Sequence, residues 1–284
     1  MLEIAEGVYC ETGWEGANVG AIGSNAGPVL VDSPMLPRDA LAWKREIDLA
    51  FKDPILFLIN TDYHFDHVMT DCLLCERVIA HTLAEPAMAA EDSGVFLDMV
   101  SAFFPDIEQE SKDEIKALRS VPPCITFSEM LALNLGNRRI EVMHMGGHTP
   151  ATSVIYLPEN GILFTGDNHV HNRHPFPGDA NLLEWVDVLK GIERMEVAKI
   201  VPGHGEVCDL SSVARLRQYF EEMKERVLEL MEQGCGRQEV ERRVDMTAYF
   251  PIDSGKEERT RSFILLGVGR MYDQLVQSVA DRNK

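Results

Sequence analysis

The chain alternates short apolar runs with polar, glycine-flanked corners. Ile55-Leu56-Phe57-Leu58-Ile59 is continuous and apolar, the pattern of a buried strand. Pro28-Val29-Leu30-Val31 is a second such run, entered through the turn Asn25-Ala26-Gly27 and left at Asp32-Ser33-Pro34. Residues 7–32 as a whole read as short strands joined by glycine turns. Residues 38–52 read as a helix with a rough apolar stripe of Leu41, Trp43, Ile47, Leu49 and Phe51. A short helix over 68–75 and a strand over Arg77–His81 follow. Strand, helix and strand in alternation mark an α/β layered protein.

Residues 83–120 break this rhythm. They read as an acidic helical insertion, either one wall of a cleft or a plain packing pair. Ser111-Lys112-Asp113-Glu114 has the pattern of a capping box opening its second helix. From Ile125 the strands return. Leu131, Leu133 and Leu135 alternate, Gly136-Asn137 signals a hairpin turn, and Ile140 and Val142 alternate beyond it. An amphipathic helix is expected over 183–197. From about Leu210 the chain is helical, with Leu216, Tyr219, Phe220, Met223, Val227, Leu228 and Met231 on one face and a stop at Gly234 and Gly236. A shorter helix over 237–246 follows. The last helix, 256–279, has Phe263, Ile264, Leu265, Val268, Met271, Tyr272, Leu275 and Val279 as its apolar side.

The polar corners carry the candidate chemistry. After the 55–59 run comes Asn60-Thr61-Asp62-Tyr63-His64-Phe65-Asp66-His67. In extended backbone, side chains two apart share a face, so Asp62 and His64 can address one point. If a helix starts there, Asp66 and His67 can address a second point a few ångströms away, a layout for two metals and a bridging water. Three further strands end in a similar way: Gly146-Gly147-His148-Thr149, Thr165-Gly166-Asp167-Asn168 and Gly203-His204-Gly205. Glycine at such ends permits sharp turns and close approach of backbone. Asp32, also at a strand end, is placed to orient a ligand histidine.

Composition limits the alternatives. At 284 residues with 45% hydrophobic and 26% charged residues, the chain has the make-up of a soluble globular protein. Its net charge of −19 argues against nucleic acid or anionic lipid as a partner and leaves a small-molecule substrate. No apolar run is long enough to span a membrane. Met1–Glu6 has neither a basic stretch nor an apolar core, so no secretory leader is expected. The six scattered cysteines fit reduced thiols, and a cytoplasmic setting is the expectation. Cys72 and Cys75 form a CxxC without a second pair, which reads as structural; so do His81 and His144. Tyr63 and Phe65 read as core packing.

The order of these corners resembles the metallo-β-lactamase superfamily over roughly residues 4–208. Its pattern is His-x-His-x-Asp-His, then a distant His, an Asp and a His; Asp62 occupies the first slot here, and the other slots match. The resemblance implies an α/β fold, a four-layer αβ/βα sandwich, as a catalytic domain over 1–208. Residues 209–284 would be a helical extension packed on it, walling the cleft or making a homodimer contact. It implies one metal at Asp62, His64 and His148, another at Asp66, His67 and His204, and Asp167 between them. Asp66 would act as catalytic proton acceptor. The implied activity is that of a hydrolase using metal-activated water on an ester, lactone, thioester or phosphoester. Alternatives on the same fold are an iron-dependent oxidoreductase and a weakly catalytic ligand-binding or regulatory member. Carboxylate in the first slot makes the filled site less positive and its donors harder. Zinc is therefore expected at the second site, with a weaker first site open to manganese or iron. His169, His171, Arg173 and His174 crowd the loop after Asp167 and read as a substrate-contacting patch or as an ordinary polar loop.

Overall fold

The computed structural model describes residues 1–90, 93–105 and 107–282. Strands β1 (Leu2–Ala5), β2 (Val8–Glu11), β3 (Val19–Ile22) and β4 (Val29–Val31) form an antiparallel meander. Helix α1 (Pro37–Ala50) carries the chain back, so β5 (Phe57–Ile59) joins β4 in parallel. Helices α2 (Phe65–Val68) and α3 (Asp71–Leu74) lead to β6 (Val78–His81), parallel to β5. Three helices, α4 (Glu85–Ala90), α5 (Ser93–Phe103) and α6 (Gln109–Ile115), precede β7 (Ile125–Phe127), parallel to β6.

The second sheet starts with β8 (Met130–Asn134), β9 (Arg139–His144), β10 (Ser153–Leu157) and β11 (Ile162–Phe164), all antiparallel. Helix α7 (Leu182–Ile192) then crosses over to β12 (Lys199–Val201), parallel to β11. Helices α8 (Leu210–Glu232), α9 (Arg237–Arg243) and α10 (Glu257–Arg282) follow.

The layers follow from strand alternation, since successive side chains point to opposite faces. Val29, Val31, Ile59 and Ile79 of the first sheet meet Ile155, Leu157, Ile162, Phe164 and Val201 of the second in one buried cluster. The intervening residues turn outward. Leu30 and Leu58 pack under Trp43 and Ile47 of α1. Val154, Leu163 and Ile200 pack under α7, α8 and α10. Helix, sheet, sheet and helix are therefore stacked in four layers, with the helical tail joined to the second sheet's outer core. The sandwich expected from the sequence is the fold observed.

Several local expectations are corrected. Leu41 and Leu49 are exposed; the buried face of α1 is Pro37, Ala40, Trp43 and Ile47. Residue spacing alone mixed two faces there. Ser111 does not start a helix: α6 begins at Gln109 after Glu108, and Ser111 is buried inside it. Helix α7 stops at Ile192, short of the expected 197, and α9 stops at Arg243, short of 246. On α8, Leu230 is buried in place of Met231, and on α10, Leu265 and Val279 face outward. The 83–120 insertion is helical as expected, apart from residues 91, 92 and 106, which lie outside the described residues. Among the described residues no helix is long and apolar enough to cross a membrane.

The two sheets come into close contact at Gly20 of β3. A Cβ there would lie 2.4 Å from the Phe164 ring of β11. Gly20→Ala should therefore cost about 1–3 kcal/mol by overpacking. Chemical denaturation checks this, and Phe164→Leu in the same chain should recover part of the loss, as coupled neighbours do.

Candidate metal centre

Each predicted corner leaves the end of a strand. The chain after β5 turns through Thr61 and Asp62 into α2, which presents Asp66 and His67 from its first turn. His148 follows β9, Asp167 lies in a single 3-10 turn directly after β11, and His204 follows β12. Crosslinks hold these ends together. Ser153 N–H donates to Thr61 O across the sheets at 2.9 Å. Asn18 N–H donates to Gly203 O at 2.7 Å, and its amide donates to Pro202 O and Gly205 O, each at 2.7 Å. Gly203 leaves room for Asp167: a Cβ there would sit 2.0 Å from Asp167 Oδ1 and 2.6 Å from the Gly166 carbonyl carbon.

The result brings all seven predicted ligand residues together in two groups. Asp66, His67 and His204 offer ligand atoms that all lie within 4.8 Å of one another, and so do Asp62, His64 and His148. Asp167 stands between the groups. Its Oδ1 is 3.4 Å from His67 Nε2 and 3.3 Å from His204 Nε2, and its Oδ2 is 3.6 Å from His148 Nε2. Asp66 Oδ2 is 3.3 Å from His204 Nε2.

These spacings fit a cation at the Asp66, His67, Asp167 and His204 corner. A tetrahedral ion with bonds of about 2.0–2.1 Å sets neighbouring ligand atoms about 3.3 Å apart. The hydrogen bonding makes the same demand. His67 Nδ1 lies 2.9 Å from Asp32 Oδ2, whose carboxylate also accepts from Thr61 N–H at 2.7 Å and the Thr61 hydroxyl at 2.6 Å. The ring proton therefore belongs on Nδ1, and Nε2 turns a lone pair toward Asp167 Oδ1. Both of those atoms are buried without a hydrogen-bond partner. Two facing acceptors in a buried site need a positive charge between them, which a second ring proton supplies in the metal-free protein and a metal ion can replace. Asp32 thus takes the orienting role expected of it.

The charge balance among the donors agrees. Burial disfavours the imidazolium of His67, but the carboxylates of Asp32 and Asp167 outweigh it and raise its pKa well above the ordinary value. His204 is likewise raised to about 9, against burial, by Asp167 and Asp66. Burial also opposes ionisation of Asp167 and Asp66, yet the neighbouring imidazoles, His204 foremost, hold both below the usual carboxylate range. The centre is built to attract cations.

The other half is different. His64 Nδ1 and His148 Nε2 are 3.1 Å apart, also a plausible edge of a coordination shell. The Asp62 carboxylate is already engaged, however. Its Oδ1 accepts from Tyr63 N–H at 2.6 Å and His64 N–H at 3.1 Å, and its Oδ2 accepts from the Thr152 hydroxyl at 2.7 Å. Asp62 braces the loop as well as facing the histidines. His64 in turn is held by Asp179, whose Oδ2 is 3.2 Å from His64 Nε2 and accepts from Tyr63 O–H at 3.1 Å. Burial works against a charged His64, while Asp62 and then Asp179 raise it to about 9; His148, dominated by burial, falls to about 4. Sequence reasoning missed Asp179 and Thr152, because nothing in a lone aspartate or threonine far along the chain marks it as a partner.

The crowded loop after Asp167 divides. Arg173 is exposed and lines the cleft beside the centre. His174 is buried, with Nε2 3.3 Å from Phe250 O, and borders only a small side cavity. His169 and His171 turn to Ser212 at the start of α8 and do not line the cleft. As substrate contacts those two are set aside, since their ring nitrogens are aimed elsewhere. Tyr63 and Phe65, expected in the core, line the cleft as well as packing behind it.

Comparison with known proteins bears directly on this geometry. The family profile described as Metallo-beta-lactamase superfamily matches residues 12–204. The chain belongs to this superfamily. Among curated proteins it is similar to human acyl-coenzyme A thioesterase MBLAC2, 24% identical over 182 residues, covering 58% of this chain and 61% of that one. It thus spans about three fifths of the length of that relative. Among solved structures it resembles a metallo-beta-lactamase family protein from Thermus thermophilus, with a TM-score of 0.69, 17% identity, and 98% and 96% of the two chains covered. It also resembles the sec-alkylsulfatase Pisa1 from Pseudomonas sp., with a TM-score of 0.69, 18% identity, and 96% of this chain covered against 49% of that one. Members of this fold family bind divalent metals, and the His and Asp groups described above are the matching candidates here.

Two predictions follow from the asymmetry. Asp32→Ala should weaken metal binding by about 10–100-fold through the lost support of His67, measured by competition with a chromophoric chelator. Asp62→Ala should destabilise even the metal-free protein by about 1–3 kcal/mol, because buried donors lose their acceptor. Were Asp62 only a ligand, removing a negative charge from a cluster of carboxylates would leave the metal-free stability unchanged or raise it. Denaturation after exhaustive chelation separates the two.

Proposed function

We propose that the protein is a metal-dependent hydrolase of esters or thioesters carrying an apolar acyl group. The observation that carries this reading is the cleft at the metal centre. It has a volume of about 530 Å³ and ends on His64, Asp66, Asp167 and His204. Its walls are aromatic and apolar: Phe65 from α2, Met99 and Phe103 from α5, Phe176 from the loop before α7, and Phe263 from α10. The Phe103, Phe176 and Phe263 rings touch in succession, with Phe103–Phe176 centroids 5.5 Å apart and Phe176–Phe263 centroids 5.0 Å apart. An apolar chain entering there sheds water against a wall that is already packed. Both the 83–120 insertion and the tail contribute to it, so the 209–284 segment belongs functionally to the 1–208 unit.

Two guanidinium groups stand at the mouth. Arg173 is exposed on the rim. Arg259 lies over the Phe104 and Phe263 rings at 5.2 and 5.9 Å and donates to Phe103 O at 3.0 Å. On a chain of net charge −19 they offer a local welcome to an anionic leaving group. A thioester of a phosphate-bearing carrier has this form, apolar at one end and anionic at the other, and the name of the similar human protein points the same way.

Bound divalent ions would supply Lewis acidity and lower the pKa of water at the centre. The chain's own part is to position and to accept protons. Asp66 faces the cleft and stays ionised near neutral pH, so it can take the proton of an attacking water. Asp32 and Asp179 fix the rings of His67 and His64. The apolar walls exclude bulk water from the reacting carbonyl. Zinc suits the Asp66, His67, Asp167 and His204 donors; manganese or iron suits the other group better.

Acyl thioesters of increasing chain length are the test. Catalytic efficiency should rise with length until the cleft is filled, and chelation should abolish it. Phe263→Ala should lose about 10–200-fold on the longer chains and little on acetyl substrates. Asp66→Asn should lower kcat by about 10²–10⁴-fold. Faster turnover of phosphodiesters than of any acyl substrate would overturn the assignment.

A further inference from the structure

A second group of metal-binding side chains lies behind the centre and takes no part in the cleft. His169, His171 and Cys208 offer two ring nitrogens and a thiol that all lie within 4.8 Å of one another. They come from the same two loops that carry Asp167 and His204. His171 N–H donates to His204 O at 2.8 Å, and Val170 forms a bridge with His204. Cys208 exchanges two backbone hydrogen bonds with Ile200 of β12, each 2.9 Å. The third wall is the first turn of α8, whose Ser212 hydroxyl lies 2.8 Å from His169 Nε2 and 2.5 Å from His171 Nδ1.

A serine hydroxyl has one hydrogen, so it can donate to only one of these two ring nitrogens. His169 is fully buried, and His171 and Cys208 are half-buried. The Asn172 side-chain amide sits 2.9 Å from His171 Nε2. The facing atom is Asn172 Nδ2; with the amide flipped, its oxygen accepts from His171 Nε2–H and the Nδ1 lone pair is left free. Two imidazoles, a thiol and a hydroxyl then converge with no carboxylate among them. That is a softer donor set than the carboxylate-rich main centre, and it suits zinc.

We infer that His169, His171 and Cys208 form a separate structural site for one soft divalent cation, zinc foremost. The ion takes the place that the Ser212 hydroxyl holds between the two rings, a water supplies the fourth position, and the ion ties the segment leading into α8 to the loop bearing Asp167. On binding, Cys208 Sγ releases its proton to solvent and forms the metal–sulfur bond; no redox step is involved. The clamp would fix the backs of two loops whose fronts hold the main centre.

Cobalt titration of the chelated full-length protein tests this, because a thiolate ligand gives cobalt a charge-transfer band in the near ultraviolet and imidazole or carboxylate ligands do not. Wild type should develop the band. Cys208→Ser should lose it together with one equivalent of bound ion, and His171→Asn should weaken it. Asp66→Asn should keep the band while the main centre loses affinity. Zinc should also protect Cys208 from alkylation, read by peptide mass mapping. No band at saturating cobalt in wild type, or a band that survives Cys208→Ser, would overturn the site. The second outcome would place the thiolate elsewhere, Cys72 and Cys75 being the nearest alternative in sequence pattern. Circular dichroism of each variant distinguishes a lost ligand from a lost fold, and alkylation protection in the wild type stands whether or not a variant folds.

Discussion

The centre depends on one contact: a buried imidazole nitrogen, His67 Nε2, facing a buried carboxylate oxygen, Asp167 Oδ1, at 3.4 Å. Asp32 takes the Nδ1 hydrogen, so the pair is stable only with a second proton on Nε2 or a metal ion in its place. The carboxylates of Asp32 and Asp167 favour that positive charge strongly enough to raise the pKa of His67 well above its ordinary value. The rest of the molecule can be read as the apparatus that keeps these atoms facing. Thr61 bonds Asp32 twice, Ser33 and Asn60 hold the backbone oxygen of His67, and Gly203 gives Asp167 the space it needs. Two parallel connections, β4 to β5 and β11 to β12, bring these groups to common ends of the two sheets.

That apparatus also explains why the tail matters to chemistry. Helix α10 is anchored through Ile264, Val268, Met271 and Leu275 in the core outside the second sheet. The same helix presents Phe263 and Arg259 toward the cleft. A surface that closes an active site must be stiff enough to exclude water, and a helix locked along one face into an apolar core supplies that stiffness. The insertion does the same from the other side, with Phe96 and Val100 buried while Met99 and Phe103 look into the cleft.

Much of this was legible in the sequence, for identifiable reasons. Strand ends marked by Gly and a single His or Asp are local signals, and the order of the His64–His67 group, His148, Asp167 and His204 survives folding because each of these four corners follows its own strand. The continuous run at 55–59 and the hairpin around Gly136 were plain for the same reason. What was not legible depends on three dimensions. Asp179 reaches His64 across 115 positions, and Thr152 reaches Asp62 across 90. Helix faces were blurred where both sides are apolar, as at Leu41 and Leu49 of α1. Histidines in one loop looked alike in sequence, yet His169 and His171 turn to Ser212, His174 turns to Phe250, and Arg173 faces the cleft.

The aspartate in the first ligand slot unites the local and the electrical arguments. A histidine there would offer one lone pair to an ion and one N–H to a neighbour. A carboxylate has acceptors to spare, and here it spends them on Tyr63 N–H, His64 N–H and the Thr152 hydroxyl. Those bonds steady the turn into α2, and so steady His64, Asp66 and His67 together. The two halves of the centre therefore differ in what surrounds their ligands: on the His64 and His148 side the carboxylate is already bonded to the loop, while on the other side Asp66 and Asp167 face the histidines directly. A carboxylate in this position braces the turn that presents His64, Asp66 and His67, whatever else it binds.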